Sequence, residues 1–146
     1  MCGIAGYLSS DRYRDPAQMP VLLRAMGRAI VSRGPDDAGE WFDADAGIGL
    51  GHRRLSVLDL SPAGHQPMAS ACGRYVLVFN GEIYNHLELR GMLEAQSKAP
   101  AWRGHSDTET LLAAFVAWGI EPAVQRTIGM FAFALWDRDE RRLTLA

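Results

Sequence analysis

The chain has 146 residues, of which 48% are hydrophobic and 22% are charged, and its formal net charge is −2. This length suits one domain, and the near-neutral charge gives no general attraction to nucleic acid or to an anionic membrane. No apolar run approaches the roughly 18 residues that span a bilayer, and the N-terminus lacks the basic and apolar regions of a signal peptide. We therefore expect a cytoplasmic protein whose two cysteines, Cys2 and Cys72, stay reduced.

The first half of the chain contains two short apolar segments and one amphipathic stretch. Gly3 to Leu8 predicts a strand that begins almost at the first residue. Asp15-Pro16 predicts the start of a helix, which Arg33-Gly34-Pro35 ends. A second strand is predicted from Gly47 through Leu50 toward Leu58, followed by a loop from Ser61 to Pro67. The apolar face of the predicted helix consists of Leu22, Met26, Ala29 and Ile30.

Strand patterns return in the second half. Arg74 to Phe79 alternates into Asn80-Gly81, a turn signal, and the short segment Glu82 to Tyr84 is again strand-like. Met130 to Trp136 and Leu143 to Leu145 predict a terminal hairpin across a polar turn.

Two helices are predicted between these strands. The first has apolar residues from Leu87 to Leu93 and ends near Ser97. The second begins with Ser106 and Glu109 in capping-box spacing and closes at Gly119. This mixture predicts an α+β fold with helices stacked on antiparallel sheet. The last strand runs to the final residue, so we expect a domain that spans 1–146 and is incomplete at its C-terminus.

Cys2 is the first candidate for chemistry. Removal of Met1 would leave its thiol beside its own α-amino group, and the ordinary pKa values of the two groups, about 8.5 and about 7.7–8.0, are nearly matched. The amine can therefore act as a general base for attack of the thiolate on an amide carbonyl. The alternative is that a cysteine at this position is incidental.

Asn80-Gly81-Glu82 is the second candidate. An amide side chain beside a glycine N–H can direct two donors at one oxygen, as an oxyanion hole requires. The commoner meaning of Asn-Gly is an ordinary hairpin turn.

Two charged positions complete the set. Arg53 or Arg54 can hold a carboxylate through a bidentate pair of hydrogen bonds, and at most one of them faces a given site because neighbours on a strand point to opposite faces. Asp107 can hold an ammonium group, although helix capping also explains an acidic residue there. Together these groups suit hydrolysis of the side-chain amide of a free amino acid. The four histidines and two cysteines lack metal-ligand spacing, so no metal site is predicted.

Six strings in the sequence resemble the class II glutamine amidotransferase domain of asparagine synthetases. They run in order over nearly the whole chain: MCGIAGYL from Met1, SRGPDDAGEW from Ser32, GHRRLSVLDLSPAGHQPM from Gly51, FNGEIYNHLELR from Phe79, HSDTETLL from His105 and IGMFAFALWD from Ile128. The resemblance implies the N-terminal-nucleophile fold, a four-layer αββα sandwich.

The resemblance also implies roles for individual residues. Cys2 matches the nucleophile, and Asn80 with the backbone of Gly81 matches the oxyanion hole. Arg54, rather than Arg53, matches the clamp for the glutamine carboxylate. Glu82 and Asp107 match residues near the glutamine amino group, and the Arg33–Asp36 string matches a loop near the site.

The implied reaction is hydrolysis of glutamine to glutamate and ammonia through a thioester on Cys2. The resemblance implies no cofactor for this domain, whereas ATP and magnesium would serve a C-terminal synthetase domain that receives the ammonia. The resemblance is also compatible with a homodimer. Two alternatives stay open: a domain of the same fold with another acceptor, as in cell-surface polysaccharide or β-lactam pathways, and a truncated domain that only binds.

Overall fold

The computed structural model describes residues 2–9, 15, 17–55 and 62–146. Within these residues the chain forms two antiparallel sheets. Sheet A has the strand order β1-β3-β2, and sheet B has the order β4-β5-β6-β7. The strands are β1 (Gly3–Leu8), β2 (Asp37–Asp43), β3 (Ile48–Arg54), β4 (Met68–Ala69), β5 (Tyr75–Ile83), β6 (Gly129–Asp137) and β7 (Arg142–Leu145).

Helices cover the outer face of each sheet. Helix α1 packs on sheet A, whereas α2 and α3 pack on sheet B and α4 extends from α3. The layers are therefore helix, sheet, sheet and helix, which confirms the predicted α+β fold and its αββα order. The helices are α1 (Gln18–Ala29), α2 (His86–Ala95), α3 (Asp107–Trp118) and α4 (Ile120–Val124).

Alternation along β5 and β6 separates two cores. Leu77 and Phe79 face the helices with Phe133 and Leu135 of β6. The intervening residues face sheet A, as a period of two requires. Between the sheets the buried side chains are Ile48, Leu50, Val76, Val78, Ala134 and Trp136. This packing holds β3 and β5 against each other.

The predicted face of the amphipathic helix is partly wrong, since Met26 and Ile30 are half-buried but Leu22 and Ala29 are exposed, and the helix starts later than predicted. Its buried residues are Met19 and Leu23, whereas Leu22 is 38% exposed. The sequence pattern fits either Leu22 or Leu23 on the apolar face. Leu23 lies four residues after Met19, so these two side chains share the face that packs on β3. The helix begins at Gln18, with Ala17 as its N-cap residue, and the Asp15 side chain accepts the Ala17 N–H before the helix starts. Pro16 lies outside the described residues.

The predicted turn at Asn80-Gly81 is also wrong. Strand β5 continues through both residues to Ile83, and the chain turns afterwards at Tyr84 and Asn85. The reason is tertiary: Asn80 pairs with Ala132 and Gly81 with Phe131 of β6, so the ladder overrides the local preference.

Several other elements differ in extent. Strand β3 ends at Arg54, short of the predicted Leu58, and residues 56–61 lie outside the described part. Strand β2 and helix α4 were not predicted, because charges interrupt Asp37–Asp43 and Pro122 lies within Ile120–Val124. No helix in the described residues is long and apolar enough to cross a membrane.

Helix α3 follows its prediction closely. The Ser106 hydroxyl accepts the Glu109 N–H at 3.2 Å, and the helix ends before Gly119. The Glu109 carboxylate accepts the N–H groups of Arg103 and Gly104 at 2.9 and 3.1 Å, and it lies 3.7 Å from Arg90. These contacts fix the chain that leads into the first turn of α3.

Candidate active site

One cavity of about 340 Å³ lies where β1, β3, β5 and α3 meet. Its volume is at the lower end of the range of roughly 300–1,000 Å³ for small-molecule sites. Six separate stretches of the sequence contribute residues to it. The residues predicted from the sequence that it brings together are Cys2, Arg54, Asn80, Gly81, Glu82 and Asp107.

Pairing of β1 with β3 places Cys2 at this cavity. Gly3 lies opposite Arg53, so Cys2 is level with Arg54 at the end of β3. The Leu55 N–H donates to Cys2 Sγ at 3.4 Å, and Sγ lies 3.7 Å from the Leu55 carbonyl oxygen. These contacts orient a partly buried thiol at the edge of sheet A.

The two neighbouring arginines face opposite sides of sheet A. Arg53 Nε donates to the Gly27 carbonyl oxygen of α1 at 3.0 Å. Arg54 is 9% exposed and lines the cavity. The strand geometry therefore places Arg54, and not Arg53, where it can contact a ligand.

Two loops enclose Arg54. The Asp36 N–H, from the Arg33–Asp36 string, donates to the Arg54 carbonyl oxygen at 3.1 Å. On the side-chain side, a Cβ added to Gly64 would lie 2.8 Å from Arg54 Cζ. The guanidinium thus packs directly against Gly64, and a larger residue there would displace it.

The outer edge of β5, which faces away from β6, leads into the cavity. Arg74 and Tyr84 bond toward the β6 side, so the odd-numbered residues between them direct their N–H and C=O groups to the outer edge. Ser70 bonds both groups of Tyr75, at 3.0 and 2.9 Å. Leu77 is paired with Met68 of β4.

Beyond β4, side chains replace the missing strand. Gln66 Oε1 accepts the Phe79 N–H at 2.6 Å, and His52 Nε2 donates to the Phe79 carbonyl oxygen at 3.0 Å. Farther along, the Ile83 N–H donates to Asp107 Oδ2 at 3.0 Å. Side chains therefore bond the outer-edge backbone groups of Phe79 and the N–H of Ile83, the edge residues before and after Gly81.

Gly81 itself differs from its neighbours on the edge. Among the described residues its N–H has no hydrogen-bond partner, and the residue lines the cavity. Its φ of 155° and the backbone of Met130 and Phe131, which an added Cβ would overlap, both require glycine. Asn80 precedes it on the same cavity wall.

Asp107 joins β5 to α3. Besides the Ile83 N–H, its carboxylate accepts the Thr108 N–H at 2.8 Å and lies 3.5 Å from the Thr108 hydroxyl. A carboxylate has about four acceptor sites, so these bonds leave capacity for an ammonium group. Glu82 is exposed on the same wall.

Burial and hydrogen bonds set the charges behind the cavity. Burial lowers the pKa of His52 to about 4, and nearby Arg54 acts in the same direction, so the imidazole is neutral at pH 7. Burial raises the pKa of Asp37, but the hydrogen bonds from His65 at 2.7 Å and from the Ala38 N–H outweigh it, and the net shift is downward. Asp37 of β2 lies directly opposite Arg54 of β3 in the strand pairing.

No group of three His, Cys, Asp or Glu side chains in the described part of the chain is arranged to hold a metal ion. The groups that the described residues place at the cavity are a thiol, hydrogen-bond donors and side chains of opposite charge.

A family model for the glutamine amidotransferase domain matches residues 1–146. The chain belongs to this family. The amidotransferase domain is 40% identical, over its whole length, to a Mycobacterium tuberculosis protein named "Putative asparagine synthetase (glutamine-hydrolyzing)" and covers 24% of that protein. It is 39% identical to asparagine synthetase (glutamine-hydrolyzing) 1 of Bacillus subtilis, over 98% of this chain and 22% of that protein. The chain thus spans about a quarter of the length of these relatives.

The domain is also similar to a protein named an amidase and to a solved amidotransferase structure. The amidotransferase domain is 34% identical to Amidase chry2 of Gibberella zeae, over all of this chain and 22% of that protein. Among solved structures it is similar to glutamine phosphoribosylpyrophosphate amidotransferase from Bacillus subtilis, with a TM-score of 0.62 and 20% identity over 94% of this chain and 35% of the other. That similarity supports the fold, and the family match identifies the chain as a domain from a family of enzymes.

Sequence reasoning missed two residues of the amidotransferase domain that border this site. Gln66 is 6% exposed and lines the cavity, but its segment was predicted only as a loop. His52 was considered from the sequence only as one of four histidines without metal-ligand spacing, yet it is 3% exposed and bonded to β5. The available signal for His52 was its place directly after the small and apolar residues Ile48 to Gly51 of the same strand, and Gln66 had none beyond its place in a matched string.

Proposed function

We propose that this domain hydrolyses glutamine to glutamate and ammonia, with Cys2 as the nucleophile. The observation that carries the proposal is the cavity to which all six predicted groups contribute. The family match supports it, because the matched model describes a glutamine amidotransferase domain.

The first step is attack by sulfur. After removal of Met1, the α-amino group of Cys2 takes the thiol proton, and the thiolate adds to the side-chain carbonyl carbon of glutamine. Collapse of the tetrahedral intermediate breaks the carbon–nitrogen bond, and the nitrogen leaves as ammonia with the proton that the amine had taken. Water then hydrolyses the γ-glutamyl thioester to glutamate and regenerates the thiol.

The developing oxyanion lies between Asn80 and Gly81. The Asn80 side-chain amide and the Gly81 N–H donate to it, and neither donor has to abandon a strand partner on the outer edge to do so. The edge bonds of Phe79 and Ile83 keep this section of β5 in place.

The other end of glutamine is held by charge. Arg54 pairs with the α-carboxylate, and Asp107 with Glu82 accepts hydrogen bonds from the α-ammonium group. These contacts are equal in the ground and transition states, so they set affinity more than the rate of the chemical step.

The ammonia is proposed to serve an ATP-dependent synthetase domain outside this chain, with aspartate as the acceptor. The support is that relatives with this domain are named asparagine synthetases and are about four times as long. Another acceptor is the second candidate, because a relative that carries the same domain is named an amidase.

A glutaminase assay combined with intact mass measurement tests the proposal. We expect release of ammonia from glutamine by protein that lacks Met1. Protein that lacks Met1, binds glutamine and releases no ammonia would contradict the hydrolytic function and favour a domain that only binds.

A further inference from the structure

We propose that Gln66, assisted by His52, is a positioning residue that keeps the Gly81 N–H unpaired and directed into the cavity. This inference rests on the proposed function, since it assigns Gln66 a part in the same oxyanion site. The Gln66 side chain bonds Phe79 and Thr108 and is not proposed to contact a reacting atom.

Strand β4 ends before it reaches the position opposite Phe79. Met68 pairs with Leu77 and Ala69 with Val76, so continued antiparallel pairing would place Gln66 opposite Phe79. Strand β4 is only two residues long, so it ends before Gln66 reaches that place. The Gln66 side chain supplies the acceptor that a backbone carbonyl would have supplied.

Strand pairing that continued past Phe79 would have covered Gly81. A neighbouring strand bonds alternate residues, so the residue two positions after Phe79 would be the next to lose its free N–H. Replacing backbone pairing with two side chains, Gln66 and His52, stabilises Phe79 and ends the ladder there. The glycine N–H therefore stays available without an unsatisfied group at Phe79.

Gln66 also connects the two halves of the site. Its Nε2 donates to the Thr108 hydroxyl at 3.4 Å, and Thr108 follows Asp107 in the first turn of α3. One buried side chain is therefore bonded to the strand that carries Asn80 and to the helix that carries Asp107. A shift of Gln66 would change the distance between the oxyanion donors and the ammonium anchor.

The test compares Gln66→Met with Ser70→Ala. Each change removes a side-chain acceptor from an N–H on the same edge of β5, at Phe79 and Tyr75 respectively, but Ser70 lies outside the cavity. We expect Gln66→Met to lower kcat by about tenfold to a hundredfold, as misplacement of catalytic groups does, with a smaller change in KM. Ser70→Ala should retain the wild-type kcat.

Hydrogen exchange provides a readout that does not depend on turnover. The Phe79 amide should exchange faster in Gln66→Met, whereas in Ser70→Ala the change should be confined to the amides around Tyr75. If Gln66→Met does not fold, Thr108→Val replaces it, because that variant removes the hydroxyl to which Gln66 donates. The same hydroxyl lies 3.5 Å from Asp107, a residue proposed to act on affinity, so a lowered kcat with little change in KM is the result expected from the role of Gln66.

Equal kcat values for wild type and the Gln66 or Thr108 variant would overturn the positioning role, as would equal losses in that variant and Ser70→Ala. Either result leaves the proposed function intact, because that function is tested separately by the wild-type rate of glutamine hydrolysis.

Discussion

Tyr75 and Gly81 lie on the same outer edge of β5, six residues apart, and their backbone groups are treated differently. Ser70 bonds both groups of Tyr75, whereas the Gly81 N–H has no partner within the described residues. The end of this edge near Tyr75 is covered by the segment that contains β4. The end near Gly81 faces the cavity. Gly81 is exposed at the cavity, so its unbonded N–H is not buried and stays available to a ligand at this end of the strand.

The largest difference between the two ends should appear at the nucleophile. Cys2→Ala should abolish glutamine hydrolysis, because no other described thiol lines the cavity. Glutamine binding should persist, since the groups that hold its charged end lie elsewhere. Cys72→Ser is the matched control and should be nearly silent. Assays of ammonia release and glutamine binding check both; activity retained in Cys2→Ala would exclude this cysteine as nucleophile.

The oxyanion donors give the next largest effect. Asn80→Ala should lower kcat by roughly 10²–10³ with little change in KM, since the donor acts mainly as negative charge develops. Asn85→Ala is the control: Asn85 bonds the Ile128 N–H and the Arg126 carbonyl oxygen in the turn after β5, so it should cost stability but not kcat. Steady-state kinetics with both variants decide it, and a change in KM alone would argue for a structural role of Asn80.

Arg54 should act on binding. Loss of a charge-assisted pair costs roughly 1.5–3 kcal/mol, so Arg54→Ala should raise KM by roughly 10- to 100-fold. Arg53→Ala loses the bond to Gly27, which faces away from the cavity, and should raise KM much less. Similar KM values for the two variants would contradict the opposite orientation of these side chains.

The smallest effect concerns pH. His52 has a pKa of about 4 in the folded protein and 6.5 as its ordinary value, so the unfolded chain binds a proton first as pH falls. Stability from neutral His52 is complete above pH 6.5 and is lost toward pH 4. Between pH 7 and pH 5 the loss should be about 2 kcal/mol.

Urea unfolding of the wild type and His52→Gln at both pH values measures this contribution. This range lies above the titration of Asp37 and Asp137, whose pKa values are lowered because hydrogen bonds outweigh the opposing effect of burial. An unchanged pH dependence in His52→Gln would show that another group is responsible.

The elements that could be predicted from the sequence are those whose signals are local. The strand Gly3–Leu8 and helix α3 followed from apolar periodicity and from the Ser106 cap. The turn at Asn80-Gly81 failed because a dipeptide preference was overruled by pairing with β6. Strand β2 was missed because its charged residues, among them Glu40, hide the apolar alternation of an edge strand that pairs only with β3.

The candidate site divides in the same way. Cys2, Asn80 and Asp107 could be proposed from the chemistry of each residue, and the choice of Arg54 over Arg53 came from the family resemblance. The contact between Gln66 and Phe79 could not be foreseen, since it joins a loop to a strand 13 positions later without any period. Long-range contacts that replace a strand leave no pattern in the sequence.

The central claim is that Cys2 attacks the side-chain carbonyl of glutamine in the cavity that Asn80, Gly81 and Glu82 of β5 line. A glutamine analogue with a chloroketone in place of the amide, followed by peptide mapping, tests it directly. Cys72 is a demanding competitor, because it is exposed and the hydrogen bond with Ser70 lowers its pKa. We predict one adduct, on Cys2, that excess glutamine prevents. Modification of Cys72 alone, or labelling of Cys2 that glutamine does not reduce, would contradict the account.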